Sequence, residues 1–354
     1  MEERSKWIDC AKLVAMLGVL VDHTRTLLYD NPLVNIASFY AVPLFIIIAG
    51  MLSFRSIDRH RLGWFQTFLK AAKKIVPAYV LATFVYQVCK TRSFDLAVFL
   101  DELCHFCAAG PFYYVLLYLQ LMLVSKALFV VASSAPKKMG WLWHTVVFAL
   151  LLLFAAWSVN KTNILHVYGG GGRLLGASYL VLFYLGMLLE KSGVFRTNSL
   201  KVQAVTACLC LILAVLWLRF ESVDLLAWDK SLPYGNAVNP PGPLVSLLAV
   251  IVLFLCWGGF SLLERIRPLR WIPAAASWLG QHTLYIFLYH WLLLDGVLKQ
   301  YYQAKNIWFT IVVFFVVMIF GPILIETVVR GIKRLAAVLS ERAMSADGER
   351  TASR

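Results

Sequence analysis

Stretch after stretch of this chain is apolar for long enough to cross a lipid bilayer, and that recurrence leaves it few ways to fold. A hydrocarbon core takes about 20 apolar residues of helix. Such stretches stand near 10–29, 36–54, 75–90, 112–132, 143–158, 174–190, 202–220, 243–260, 275–298 and 307–329. Inside lipid the chain must satisfy every backbone N–H and C=O itself, which a helix does within one segment. The expected fold class is therefore all-α, a polytopic integral membrane protein built as a bundle of about ten transmembrane helices. Composition agrees, since 60% of the 354 residues are apolar and 15% are charged, against about half and about a quarter in a soluble domain. One transmembrane domain is expected over 1–335. Residues 336–354, charged and rich in Ser and Ala, read as a disordered cytoplasmic tail.

Lysine and arginine set the orientation. With the N-terminus cytoplasmic, inner segments hold 22 of the 33 basic residues and outer loops only 7, while Lys12, Arg25, Lys126 and Arg219 fall within the apolar stretches. That asymmetry is the positive-inside signature and places both termini in the cytoplasm. The net charge of +14 then reports topology and contact with anionic lipid, not nucleic acid. The first apolar run leads into further spans without a small-residue cleavage site, so no cleavable signal peptide is expected.

The first stretch carries the residues that are costliest to place there. It reads Trp7-Ile8-Asp9-Cys10-Ala11-Lys12, then runs apolar to Asp22-His23-Thr24-Arg25. Ionisable groups inside a membrane need a partner or a water-filled cavity, so they mark candidate sites. Lys12 and His23 are eleven residues apart, about 20° around a helix and about 16 Å along it, and share a face. Asp9, three residues before Lys12, can pair with it. Neutral His23 is a candidate general base toward a hydroxyl; a histidine satisfied by a neighbouring carbonyl reads the same way.

Other stretches add candidates. In the second, Phe39-Tyr40-Ala41-Val42-Pro43 should kink the helix at its proline. After it come Arg55, Arg59, Arg61, Lys70, Lys73 and Lys74, either a solvated inner loop or a mouth that attracts and orients phosphates. The ninth runs from Leu279-Gly280-Gln281-His282 to His290-Trp291. His290 lies deep among aromatics, where one reading is a histidine hydrogen-bonded between helices; Asp295 and Glu326 take no role. Cys104-His105-Phe106-Cys107 in an outer loop lacks the second ligand pair of a metal clip and reads as plain loop or local disulfide, so no metal site is expected. The glycine run 169–172 before Arg173 has no Lys-Ser/Thr after it and is no phosphate loop.

Together these landmarks resemble the acyltransferase family 3 membrane proteins, most closely their sugar O-acetylases of the fucose 4-O-acetylase type. Lys12 and His23 match the family's first-helix motif of arginine, ten residues, histidine, with lysine in the arginine's place. Pro43-Leu44-Phe45 to Gly50 looks like its second helix, although Ala41 and Ala49 stand where members often carry histidine and serine. Lys70, Lys73, Lys74, Ile75 and Pro77 resemble its basic stretch before Ile-x-Pro. Pro111-Phe112-Tyr113-Tyr114 and the run from Leu279-Gly280 to His290-Trp291 resemble its later helices.

The resemblance implies an O-acyltransferase of the bacterial inner membrane that modifies cell-envelope polysaccharide. Acetyl-CoA would be a co-substrate from the cytoplasm, with no bound cofactor. The acceptor would be a carbohydrate or lipid-linked glycan reached from the bilayer or the outer face. On that footing His23 and Lys12 are the catalytic candidates. Lys70, Lys73, Lys74 and Arg55 would meet the CoA phosphates, and Asp9, Tyr40 and His290 the substrate. The rival reading is a proton-coupled secondary transporter with a relay through Lys12, His23, His290 and Asp295. The lack of an evident repeat between the halves speaks against it.

Overall fold

The structure is a computed structural model and describes residues 5–159, 179–221, 241–299 and 307–352. Among the described residues it is all-helical, without strands apart from one isolated bridge between Arg25 and Tyr29. The helices are α1 (Lys6–His23), α2 (Pro32–Ser38), α3 (Ala41–His60), α4 (Trp64–Thr91), α5 (Leu96–His105), α6 (Tyr113–Ser133) and α7 (Gly140–Val159). They continue as α8 (Tyr179–Ser192), α9 (Leu200–Glu221), α10 (Pro243–Arg265), α11 (Trp271–Gln281), α12 (Thr283–Leu293) and α13 (Ile307–Ala352).

Each of the ten apolar stretches contains helix. Six runs among the described residues are long and apolar enough by themselves to cross a membrane: Leu33–His60, Gly110–Ser133, Gly140–Ser158, Leu200–Arg219, Pro243–Arg265 and Phe309–Leu335. The protein is thus an integral membrane protein of the all-helical class. The glycine run 169–172 lies outside the described residues. The last helix continues to Ala352, through the segment expected to fray.

Three expected boundaries move, each for a local reason. The first helix stops at His23, because Thr24 turns the chain: its Oγ1 donates to the Leu20 and Val21 carbonyls at 2.9 and 3.0 Å, and Tyr29 Oη closes the turn onto Val21 O at 2.9 Å. His23 therefore ends a helix instead of lying inside one. The ninth stretch divides between α11 and α12 at His282, then relaxes into a π-turn over Leu294–Leu298. The basic segment 55–74 is not a loop, since α3 runs to His60 and α4 starts at Trp64. The proline effect falls just upstream of Pro43. A proline cannot donate to the carbonyl four residues back and its ring clashes with that carbonyl, here Phe39, and the helix breaks at Phe39 and Tyr40 between α2 and α3.

Helices approach closely where side chains are absent. A Cβ on Gly50 of α3 would sit 2.1 Å from the Phe183 carbonyl oxygen of α8, and one on Gly186 of α8 would sit 2.1 Å from the Ile47 oxygen of α3. Small residues substitute here for the hydrophobic drive that lipid does not supply. A Cβ on Gly280 would lie 1.8 Å from the Asp9 oxygen, which seats α11 against α1. The largest core cluster gathers α1, α3, α6, α8 and α10, including Ala11, Leu44, Ile47, Leu117, Phe183 and Leu253.

Candidate active site

The end of α1 meets the end of α12. His23 Nδ1 and His290 Nε2 are 2.8 Å apart, their rings stacked with centroids 5.0 Å apart and planes 9° from parallel. Trp291 sets its ring edge-on to His23, with centroids 4.8 Å apart at 86°. The two histidines stand 267 positions apart in the sequence; α12 returns to α1 because α11 is docked along it.

Hydrogen-bond chemistry orders the protons of this pair. His290 Nδ1 faces the Ile286 and Phe287 carbonyls at 3.0 and 2.8 Å. A carbonyl only accepts, so Nδ1 of His290 carries the hydrogen and its neutral ring offers Nε2 as an acceptor. His23 Nδ1–H then donates to His290 Nε2, which leaves the lone pair of His23 on Nε2. That atom has no partner among the described residues. The pair is thereby arranged as a base and the group that orients it.

His23 lines a cavity of about 220 Å³ with Val19, Asp22, Ser38, Phe39, Tyr113, Tyr114, Phe287 and Trp291 among its walls. The break at Phe39 brings in Ser38 and Phe39, and the start of α6 brings in the tyrosines. Behind it, Tyr86 of α4 is fully buried, accepts the Leu292 N–H at 2.7 Å, and so pins α12 just past Trp291. Neither Tyr86 nor the pairing of the histidines is signalled by a motif; Tyr86 reads as one more aromatic in an apolar run.

A second, wider cavity of about 930 Å³ lies at the other end of α1 and α3. From Trp7, on its rim, to His23 is sixteen residues, about 24 Å of helix. Lys6, Arg55, Arg59 and Arg196 line it together with Asp58, Glu190 and Glu264. Arg55 is committed: its Nε and Nη2 each donate to the Glu190 carboxylate at 2.9 Å. Glu190 stands beside Lys191 at the end of α8, and no sequence motif marks it as the partner of Arg55.

The other sequence candidates scatter. Lys12 pairs with buried Asp9 at 2.9 Å, and neither lines the His23 cavity. Tyr40 is spent on packing, its hydroxyl donating to the Val14 carbonyl at 3.0 Å. Lys70, Lys73 and Lys74 are exposed on α4, outside both cavities, with Lys70 donating to Ser56 Oγ at 3.0 Å. They occupy the less buried end of α4, since Ile75, Ala78, Tyr79, Ala82, Thr83, Tyr86 and Gln87 are buried beyond them and only Thr67 before them. Glu326, unassigned from sequence, accepts from or pairs with His282 at 2.6 Å and also holds Arg330. Cys104 and Cys107 are free thiols. Burial, then the nearby carboxylates of Asp101 and Glu102, push the Cys107 thiol up, away from the thiolate that redox chemistry needs. Among the described residues no three His, Cys, Asp or Glu side chains converge as a metal site.

Comparison with known proteins adds a family. The acyltransferase family 3 model, described as an acyltransferase domain, matches residues 5–326, which takes in every helix that forms either cavity. No curated protein and no solved structure matches the chain.

Proposed function

The chain belongs to acyltransferase family 3, and from that premise we propose that it moves an acyl group, acetyl by its likeness to the sugar O-acetylases, from cytoplasmic acyl-CoA to a hydroxyl of a carbohydrate or lipid-linked glycan. The observation that carries the reading is the free Nε2 of His23, held in its tautomer by His290 inside a cavity. Nε2 takes the proton of the acceptor hydroxyl as its oxygen attacks the thioester carbonyl. The tetrahedral adduct expels the CoA thiolate, which recovers that proton from Nε2. Throughout, the Nδ1–H of His23 stays on His290, which holds the ring in place and shares the imidazolium charge while it lasts.

The two cavities suit the two substrates. The CoA nucleotide would enter the wider one, where Lys6, Arg59 and Arg196 face a cytoplasm-facing mouth and Arg55 is braced by Glu190. Its slender arm would run along α1 and α3 past Ala11, Ala15 and Ala49, which leave little to displace. This assigns the wider cavity and both chain termini to the cytoplasm, within a bundle of about ten spans in a bacterial inner membrane. It leaves Lys70, Lys73 and Lys74 to anionic lipid.

The test is thiol release from acetyl-CoA by the detergent-solubilised protein, with a cell-envelope extract as acceptor. His23→Ala should lose about 10²- to 10⁴-fold in rate. No extract-dependent release from folded wild type, together with no acetyl-CoA binding, would sink the reading.

A further inference from the structure

The cavity beside His23 holds a second ionisable group for which the transfer chemistry has no task. Asp22 lines the same wall. It does not orient His23, whose Nδ1 is taken by His290 at 2.8 Å. Asp22 is instead held from behind. The Asn35 amide, buried on α2, lies between Asp22 Oδ1 and Arg25 Nη1, each 3.2 Å away; a carboxylate only accepts and a guanidinium only donates, so the orientation that satisfies both turns the amide N–H to Asp22 and the amide oxygen to Arg25. Asn35 thus links the carboxylate to a cation and fixes its direction, while the cavity face of Asp22 keeps acceptor capacity for hydroxyl donors.

The rest of the cavity mixes aromatic rings with the small or aliphatic Val19, Ala41, Val42, Gly110 and Pro111 and the hydroxyl of Ser38. Phe39, Tyr113, Tyr114, Phe287 and Trp291 line it, with Tyr114 and Phe287 packed at 5.2 Å between centroids. Flat apolar walls with a few placed polar atoms select ligands that are flat and apolar on their faces and polar at their edges. A pyranose ring is such a ligand, with C–H groups on its face and hydroxyls around its rim.

We infer that Asp22 is the residue that chooses the acceptor hydroxyl. Its carboxylate accepts a hydrogen bond from the hydroxyl adjacent to the one presented to His23 Nε2, so the acceptor is a vicinal diol on a hexose-sized ring, and this pairing decides which position is acylated. A site built to bond a hydroxyl discriminates strongly against an analogue without it, because the buried acceptor is left unpaired. The assignment of the reacting hydroxyl rests on the acyltransferase reading, but the binding role of Asp22 is measurable without turnover.

The experiment is a ligand-observed NMR titration in detergent with methyl α-mannopyranoside, methyl α-glucopyranoside and methyl α-galactopyranoside. Wild type and Asp22→Asn are compared, each first checked for a wild-type elution profile and melting transition. Wild type should bind at least one glycoside, and Asp22→Asn should bind it roughly 10- to 100-fold more weakly. A second measurement uses monodeoxy analogues, and its wild-type arm needs no variant to fold. One monodeoxy analogue of the bound glycoside should lose as much affinity for wild type as the substitution does, and lose nothing further in Asp22→Asn. Binding of none of the three glycosides, equal binding by wild type and Asp22→Asn, or wild-type binding of every monodeoxy analogue as tightly as its parent would each overturn the inference. The acyltransferase reading is judged apart from this by His23-dependent thiol release, which survives any of those results.

Discussion

At the scale of single residues, the proposed reaction depends on the proton inventory of two imidazoles. The Ile286 and Phe287 carbonyls fix the hydrogen of His290, and His290 in turn fixes that of His23. His290→Ala should leave a buried N–H without an acceptor and free the ring to turn, lowering kcat by about 100-fold or more with the donor KM nearly unchanged. His290→Gln keeps an acceptor oxygen on a side chain of similar reach and should retain more activity than the alanine variant. Steady-state kinetics of the two variants checks the order; equal losses would mean that the imidazole is only filler. His23 is legible in the sequence because an ionisable group in an apolar span is costly wherever it sits. Its partner is not legible as a partner, since His290 meets it only through the docking of α11 and α12 on α1. Lys12 shares the helical face of His23, yet its ammonium pairs with Asp9, one turn farther from the cavity, and periodicity alone does not reveal such a local claim.

At the scale of elements, helix apposition depends on positions where a side chain cannot fit. Gly50 and Gly186 hold α3 and α8 in mutual contact, each facing the other helix's carbonyl at 2.1 Å from where a Cβ would stand. Gly186→Ala must therefore push backbone against backbone and should cost about 1–3 kcal/mol or more. Gly259→Ala on α10 meets nothing within 4 Å and should be neutral or slightly stabilising, since alanine is the better helix former by about 1 kcal/mol. Thermal unfolding of both variants in detergent makes the comparison, and matched midpoints would show that the α3–α8 seam is slack. The existence of the helices was readable from apolar length, whereas their ends were not. The break at His282 falls inside a stretch that reads as one span by length, and its cause is the seat of Gly280 on Asp9 together with the pull of Glu326 on His282. Only the polar triplet Gly280-Gln281-His282 hinted at it.

At the scale of the whole molecule, α1 and α3 join two cavities of opposite character. One end is small, aromatic and lined by His23; the other is wide and carries four cations against three acids. If an anionic donor enters by the wide end, its capture is electrostatic, and the neutral acceptor at the aromatic end is not. Salt separates the two. Raising ionic strength from about 0.1 M to about 1 M shortens the Debye length from about 10 Å to about 3 Å, so the donor KM should climb severalfold while the acceptor KM stays level. Arg196→Ala should raise the donor KM roughly two- to fivefold, a modest effect because the side chain is largely exposed, and it should flatten the salt dependence. kcat should hold in both experiments, because the removed contact is made equally in the ground and transition states. A salt effect confined to the acceptor KM would reverse the assignment of the ends. A salt effect on kcat alone would place the charges on the chemical step and not on donor capture.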